Sequence, residues 1–341
     1  MGRLDRALDP ALQEATDTLL ISPGFFGYAR EMQRVLEARC RRVAVLNDSA
    51  AVGGAGKAAI RLAPGLTTSW GDSYFAGIAM KYRTSPIRDV LVIKGEGLSP
   101  AATRNLRATF PQARFTLYFW DSYRNMPPDS REKVALFDRS LSFDPHDAQA
   151  DPRLVYRPLF FIERYAQLPD RAQDIDLLFF GTVHGDRYAV LKRIERAVPA
   201  GTRFEKVLYF RARWLYFLNR LADPALWPAR RGEFIFKPRS REEIAELTAR
   251  ARIVVDIERP IQTGFTIRTI EMLGAGRKLI STNAELAKAD FYDPANIAVV
   301  DRRAPRIAEE FLRAPYSPLP QELVRRYSLN GWMDDVMPHI R

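Results

Sequence analysis

Residues 253–283, IVVDIERPIQTGFTIRTIEMLGAGRKLISTN, carry the reading that decides the fold. A short apolar run ends near Ile257, a polar loop passes through Pro260, and Gln262-Thr263-Gly264 turn the chain into a helix over 266–274. Leu273-Gly274-Ala275-Gly276 close that helix, and 278–281 read as the next strand. Strand, helix and parallel strand make the repeating unit of an α/β sheet. The free N–H groups and the dipole at the start of such a helix suit a diphosphate. Gly264 lets the backbone approach that diphosphate closely, Thr263 and Thr266 offer hydroxyl donors, and Arg268 offers a fork of donors to phosphate oxygens. Glu271 follows Gly264 by seven residues, about two helical turns, on the side where a ribose would sit. Spacing alone also allows a plain amphipathic helix with a threonine cap and a solvated Glu271.

The same alternation extends in both directions. In the first half, strands are expected over 18–22, 42–46, 89–94 and 114–120, with helices over 28–39 and 100–110. Shorter strands follow at 140–143 and 154–158. The polar stretch 163–174, interrupted by Pro169, reads as a linker. Beyond it come strands at 176–180, 204–210, 233–236 and 253–257 and helices at 188–198, 212–221 and 241–250. The expectation is two successive doubly wound units, a domain over 1–165 and a domain over 175–325, followed by a terminal helix over 326–341. Ligands in such sheets sit outside the carboxyl ends of the strands, here in a cleft between the two units.

Composition narrows the function. The 341 residues are 47% hydrophobic and 27% charged, as in an ordinary globular protein. The first 26 residues, MGRLDRALDPALQEATDTLLISPGFF, lack the basic end and long apolar run of a signal peptide. Cys40 is the sole cysteine, so no internal disulfide forms, and the expectation is a cytoplasmic protein. The net charge of +11 is spread over both halves. That spread argues against a nucleic-acid binder, which concentrates its charge in a stripe. It fits a basic surface attracted to nucleotide diphosphates, with peripheral contact at an anionic inner membrane face left open.

The run TGFTIRTIEMLGAGRKLISTN, 263–283, resembles the nucleotide-sugar-binding segment of GT-B glycosyltransferases. The likeness is to bacterial lipopolysaccharide-core and capsular-polysaccharide biosynthesis proteins and to spore-coat-type glycosyltransferases. The resemblance implies an α/β GT-B fold of two Rossmann-like domains facing a central cleft. It implies that Gly264 faces the diphosphate and Glu271 binds the ribose hydroxyls. Retaining members often carry a second Glu eight residues before the ribose Glu, where this chain has Thr263. The segment DLLFFGTVHGDR, 176–187, resembles the first strand and glycine turn of the C-terminal domain, bringing Gly181 and Arg187 toward the phosphates. The segment FIFKPR, 234–239, sits where the family contacts the base, which adds Phe236 and Lys237. The last segment, YSLNGWMDDVMPHI, resembles the terminal GT-B helix that crosses back to the N-terminal domain, with Trp332 read as an interdomain packing residue.

In the first half, SPGFFGY, 22–28, resembles an acceptor-facing loop and contributes Gly24, Phe25 and Tyr28. Glu96 and Asp121 each follow a strand and are the candidate catalytic bases, Asp121 first because Trp120 and Tyr123 beside it would desolvate its carboxylate. Asp138 and Asp144 read as structural. Gly53-Gly54-Ala55-Gly56-Lys57 lacks the leading Gly and the closing Ser or Thr of a phosphate loop. His146, His184 and His339 lack metal-ligand spacing, and no Asp-x-Asp motif is present, so no metal and no cofactor are expected. The expected reaction is transfer of a sugar from a nucleotide-sugar donor, UDP-linked as the first choice and CMP-linked as the other, to a surface-glycan or lipid-linked acceptor. An epimerase or hydrolase on the same fold and a non-catalytic glycan- or nucleotide-binding protein are the rivals. A dinucleotide oxidoreductase is disfavoured because no Gly-x-Gly-x-x-Gly follows a strand.

Overall fold

In a computed structural model of the chain, residues 15–24, 27–39, 41–49, 64–260 and 263–340 are described. The Gly53–Lys57 segment, Phe25 and Gln262 lie outside them. The chain divides into two compact units, one holding the residues up to Pro158 together with those from Leu329 on, the other Leu159–Ser328.

The first unit is a six-stranded sheet of order β2-β1-β3-β4-β5-β6. Its strands are β1 Thr18–Ile21, β2 Val43–Leu46, β3 Asp89–Ile93, β4 Arg114–Phe119, β5 Arg139–Ser142 and β6 Leu154–Tyr156. Every adjacent pair is parallel. The central strands are buried on both faces and therefore read as continuous apolar runs; β3, DVLVI, is buried at all five positions. The second unit repeats the plan with order β12-β11-β10-β7-β8-β9. Here β7 is Ile175–Thr182, β8 Phe204–Tyr209, β9 Phe234–Ile235, β10 Ala251–Asp256, β11 Lys278–Ser281 and β12 Ile297–Val299. All its adjacent pairs are parallel as well.

In each sheet the strand order reverses once, between β1 and β3 in the first and between β7 and β10 in the second. At a reversal the connecting loops leave in opposite directions and open a crevice at the carboxyl ends, where doubly wound sheets bind ligands. Gly24 and Gly95 follow β1 and β3, Gly181 lies at the end of β7 and Gly264 in the loop after β10, so these glycines fall at the two reversals.

Several expectations are adjusted by packing. Residues 163–174 are not a plain linker: Leu159 to Ile162 are already buried in the second unit, the Phe161 N–H donates to the Tyr327 carbonyl, and a short helix spans Glu163–Ala166. Trp332 is fully buried inside the first unit, its ring edge-on to Tyr118 at 4.7 Å, so its packing there is intradomain. The last segment is tied to that unit by ion pairs from Arg39 to Asp334 (2.9 Å) and from buried Arg157 to Asp335 (2.9 Å). Helix Pro64–Tyr82 and strand β12 had no clear period in sequence; the helix carries apolar residues around its circumference. Asp138 and Asp144 are structural: Asp138 holds Arg107 and the Phe115 N–H, and Asp144 caps helix Pro145–Ala150.

Gly274, the last residue of helix Ile267–Gly274, shows why that turn must be small. A Cβ at this position would run into the Phe161 ring. Gly274→Ala is expected to destabilise the second unit by about 1–3 kcal/mol through overpacking. A denaturant midpoint that does not move would show that Phe161 has room to shift.

Candidate functional site

The second unit's crevice is built from the ends of β7 and β10. β10 terminates in Asp256, a carboxylate only 1% exposed. Its Oδ2 accepts from the hydroxyls of Thr266 (2.5 Å) and Thr269 (2.8 Å), and its Oδ1 accepts from Arg268 Nη1 at 3.2 Å. Thr266 is the N-cap of helix Ile267–Gly274, its Oγ1 accepting from the Thr269 N–H. The helix therefore starts three residues after Gly264, at Ile267, and Gly264 belongs to the loop before it. Nor is Thr266 a free donor, because its proton is given to Asp256 and its oxygen serves as the cap. Asn283 reaches back to hold the Thr263 and Gly264 carbonyls, each at 3.4 Å.

Arg268 is sandwiched by this arrangement. Its guanidinium lies over the Phe180 ring, 4.2 Å from the centroid, and its Nε is buried without a hydrogen-bond partner among the described residues. Gly181, at the end of β7, presents its bare backbone to the same group: a Cβ there would sit 3.3 Å from Arg268 Nη2 and 3.6 Å from Arg187 Nη1. Arg187 is more committed than its sequence position implied. Its Nε donates to the Ile257 carbonyl (2.9 Å), Nη2 to the same carbonyl (2.5 Å) and Nη1 to the Thr182 carbonyl (2.8 Å). These carbonyls lie at strand ends, where the ladder no longer supplies donors, so a buried arginine satisfies them. Burial first, and then the Arg268 charge, bring Arg187 down to about 10, so it stays cationic at neutral pH. His184 in the same turn is held down to about 4, first by burial and then by Arg187 and Arg259, and is neutral there.

Two further groups escaped the sequence reading. Glu258, 5% exposed, accepts from Thr282 and Arg302 (2.6 Å each), and Arg302 also pairs with Asp186 at 2.7 Å. This chain of charges locks the loop after β10 to the turn after β7. Burial pushes the Glu258 carboxyl above the usual range, despite the Thr282 hydrogen bond. Tyr165 is the other: its buried hydroxyl lies within electrostatic reach of Glu271, which is only 4% exposed. Burial and then the Glu271 charge push the Tyr165 hydroxyl up. Glu271 therefore does not stand open beside the helix but is buried near a tyrosine that the polar 163–174 stretch had concealed. A buried aromatic at Tyr165 beside Phe160 and Phe161 was the available signal.

Phe236 follows the edge strand β9, packed against Tyr216 (6.3 Å between centroids) with the Arg213 guanidinium 5.8 Å from its centroid; Lys237 is exposed. β9 is separated from β7 by β8 alone, roughly 10 Å across the sheet.

In the first unit the structure brings Glu96 and Asp121 onto one cation. Lys94 Nζ lies 3.0 Å from Glu96 and 3.2 Å from Asp121. Lys94 is the described non-glycine residue with a left-handed backbone, φ 67°, and Gly95 follows at φ 65°. Such a conformation in a long side chain costs free energy and clusters at functional sites. It is held by the Lys94 N–H on the Tyr118 carbonyl (2.8 Å) and by buried Lys133, whose Nζ donates to the Gly95 carbonyl at 2.9 Å. Burial pulls Lys94 down, but the Asp121 and Glu96 charges outweigh it and its pKa is raised. The expected aromatic cover over Asp121 is replaced by this ion pair. Tyr123 turns away to hydrogen-bond Asp151 (3.1 Å), and Trp120 packs on Tyr28 at 5.5 Å, leaving the Asp121 side chain 37% exposed. Tyr28 is itself buried in that contact, whereas Gly24 is exposed at the end of β1. Beyond Asp121, an open cavity of about 430 Å³ is lined by Tyr123, Arg124, Ser130, Arg131 and Asp147 among others. Among the described residues no three His, Cys, Asp or Glu side chains are grouped to hold a metal ion, and no helix is long and apolar enough to cross a membrane.

No protein-family model matches the sequence, and no curated protein matches it. Solved structures do. A trehalose-phosphate synthase (UDP-forming) from Burkholderia xenovorans, in complex with glucose-6-phosphate, aligns with a TM-score of 0.63 at 15% identity, over 95% of this chain and 99% of that one. Anabaena HepE in complex with UDP-glucose aligns with a TM-score of 0.62 at 10% identity, over 95% and 99%. A glycosyltransferase from Rickettsia africae aligns with a TM-score of 0.60 at 14% identity, over 95% and 98%. These likenesses show the fold, that of GT-B glycosyltransferases with two doubly wound α/β units.

Proposed function

We propose that this chain transfers a sugar from a nucleotide-sugar donor to the hydroxyl of a surface-glycan acceptor. The observation that carries the reading is the juxtaposition of Gly181, Arg268 and the capped helix at the β7/β10 reversal. It offers close backbone approach, a fixed cation and free helix N–H groups to one diphosphate. The full-length likeness to UDP-sugar enzymes supports the same donor class, with UDP the first choice.

In this reading the acceptor oxygen attacks the anomeric carbon as the bond to the diphosphate oxygen breaks. The acceptor proton passes to Asp121 or Glu96, which Lys94 holds side by side. Charge developing on the leaving diphosphate is met by Arg268 and the helix start, supported by Arg187. Glu271, buried near Tyr165, receives the ribose hydroxyls, and the Phe236–Lys237 backbone meets the base. No metal is assigned a part.

The test begins with thermal-shift screening of UDP, GDP, ADP, TDP and CMP. The true carrier at 100 times its dissociation constant stabilises by about 2.7 kcal/mol. Product analysis with and without acceptor glycan follows. Donor consumed at full rate without acceptor would favour an epimerase or hydrolase, and nucleotide binding without turnover a binding protein. Glu271→Gln is expected to weaken the chosen nucleotide by about 1.5–3 kcal/mol, the range for a hydrogen bond to a charged group. Calorimetric affinity that stays at the wild-type value in a folded variant would remove Glu271 from the ribose.

A further inference from the structure

Helix Arg213–Ala222, RWLYFLNRLA, turns an apolar face to solvent. At about 100° per residue, Trp214, Phe217, Leu218 and Leu221 share an arc of about 100°. They are 62%, 53%, 54% and 80% exposed, while Tyr216 on the other side is buried. Trp227, 60% exposed, extends the patch, its indole N–H donating to the Arg220 carbonyl at 2.9 Å. A surface helix ordinarily buries its apolar stripe, and a contiguous exposed patch of this size marks an interaction surface.

The frame of the patch says what it meets. Between residues 211 and 231 stand Arg211, Arg213, Arg220, Arg230 and Arg231 against a single acid, Asp223, whose carboxylate already caps the Ala225 N–H at 2.9 Å. A second copy docking through the same face would set this arginine frame against itself. On the helix, Arg213 and Arg220 flank one edge of the apolar arc, Arg220 donating to the Tyr216 hydroxyl and the Trp227 carbonyl. Large aromatic and leucine side chains beside such a basic segment match an anionic lipid surface: apolar groups for the acyl boundary, positive charge for the phosphates. We propose that helix Arg213–Ala222 lies flat on an anionic membrane and docks the enzyme there. This docking stands apart from the transfer chemistry and is measured without substrate.

The full chain is sedimented with vesicles of equal parts phosphatidylglycerol and phosphatidylcholine, and with phosphatidylcholine alone. The wild type should partition onto the anionic vesicles, at least about tenfold more weakly onto neutral ones, and less as salt rises. Trp214→Glu and Leu221→Glu replace exposed side chains, so the thermal midpoint should hold while anionic partition falls by about tenfold or more. Brominated lipid should quench wild-type tryptophan emission, and Trp214→Phe should remove part of that quenching. Equal partition of wild type and variants, or none by the wild type, would overturn the proposal. So would a dimer in sedimentation equilibrium that Leu221→Glu dissolves, which would give the face to a second copy.

Discussion

Replacing Arg268 with alanine is expected to lower the turnover of sugar transfer by about 100–1,000-fold, the effect of removing one preorganised group from a developing negative charge. Three features single out this side chain. It is held by buried Asp256, it is stacked over Phe180, and its Nε is buried without a partner among the described residues. Its donors are thus less fully used than those of Arg187, whose nitrogens are given to backbone carbonyls. The loss should fall on kcat more than on affinity for the bare nucleoside, because in the proposed transfer the charge assigned to Arg268 is fully developed only as the leaving group departs. Arg268→Lys keeps the charge beside Asp256 but not the planar fork, and should recover part of the rate. A folded Arg268→Ala enzyme with wild-type kcat would confine Arg268 to pinning Asp256.

The second large effect is expected in the first unit. Asp121→Asn should cost roughly 100-fold or more in transfer while nucleotide binding persists, as loss of a general base requires. Glu96→Gln is the paired measurement, since both carboxylates share Lys94. If Asp121 is the base, Glu96→Gln should cost less, its part being to hold Lys94. The reverse order of losses would exchange the two roles. Wild-type transfer by both variants would place the base elsewhere or point to a retaining reaction.

Much of this was readable before folding. Short apolar runs alternating with helices mark buried parallel strands, because a strand covered on both faces has no polar side to show. The strand ends were read to within a few residues, and so were Gly181 and the Thr266 turn, because a glycine or a cap acts on its own neighbours. Side-chain allegiance was harder. From sequence, Thr266 and Arg187 looked like phosphate donors, yet Asp256 claims one hydroxyl and the carbonyls at Ile257 and Thr182 claim the guanidinium. The Ile257 carbonyl comes from the end of a neighbouring strand 70 residues away. Even the nearer partners, Asp256 and Thr182, are brought into reach by the folded loops rather than by helical or strand spacing.

What the sequence by itself determined is therefore the α/β class, the repeated doubly wound pattern and the positions of its glycine turns, all products of short-range periodicity and backbone preference. Only the tertiary structure decided the order of the strands, and with it which turns meet at a reversal. It alone placed Glu96 and Asp121 on Lys94, Tyr165 near Glu271 and the Glu258–Arg302–Asp186 chain across the second crevice. It also turned the Trp214–Leu221 face outward. The physical reason is common to all of them. A buried charge must find its partner wherever the packed chain supplies one, and an apolar face is covered or left bare according to the neighbours that packing provides.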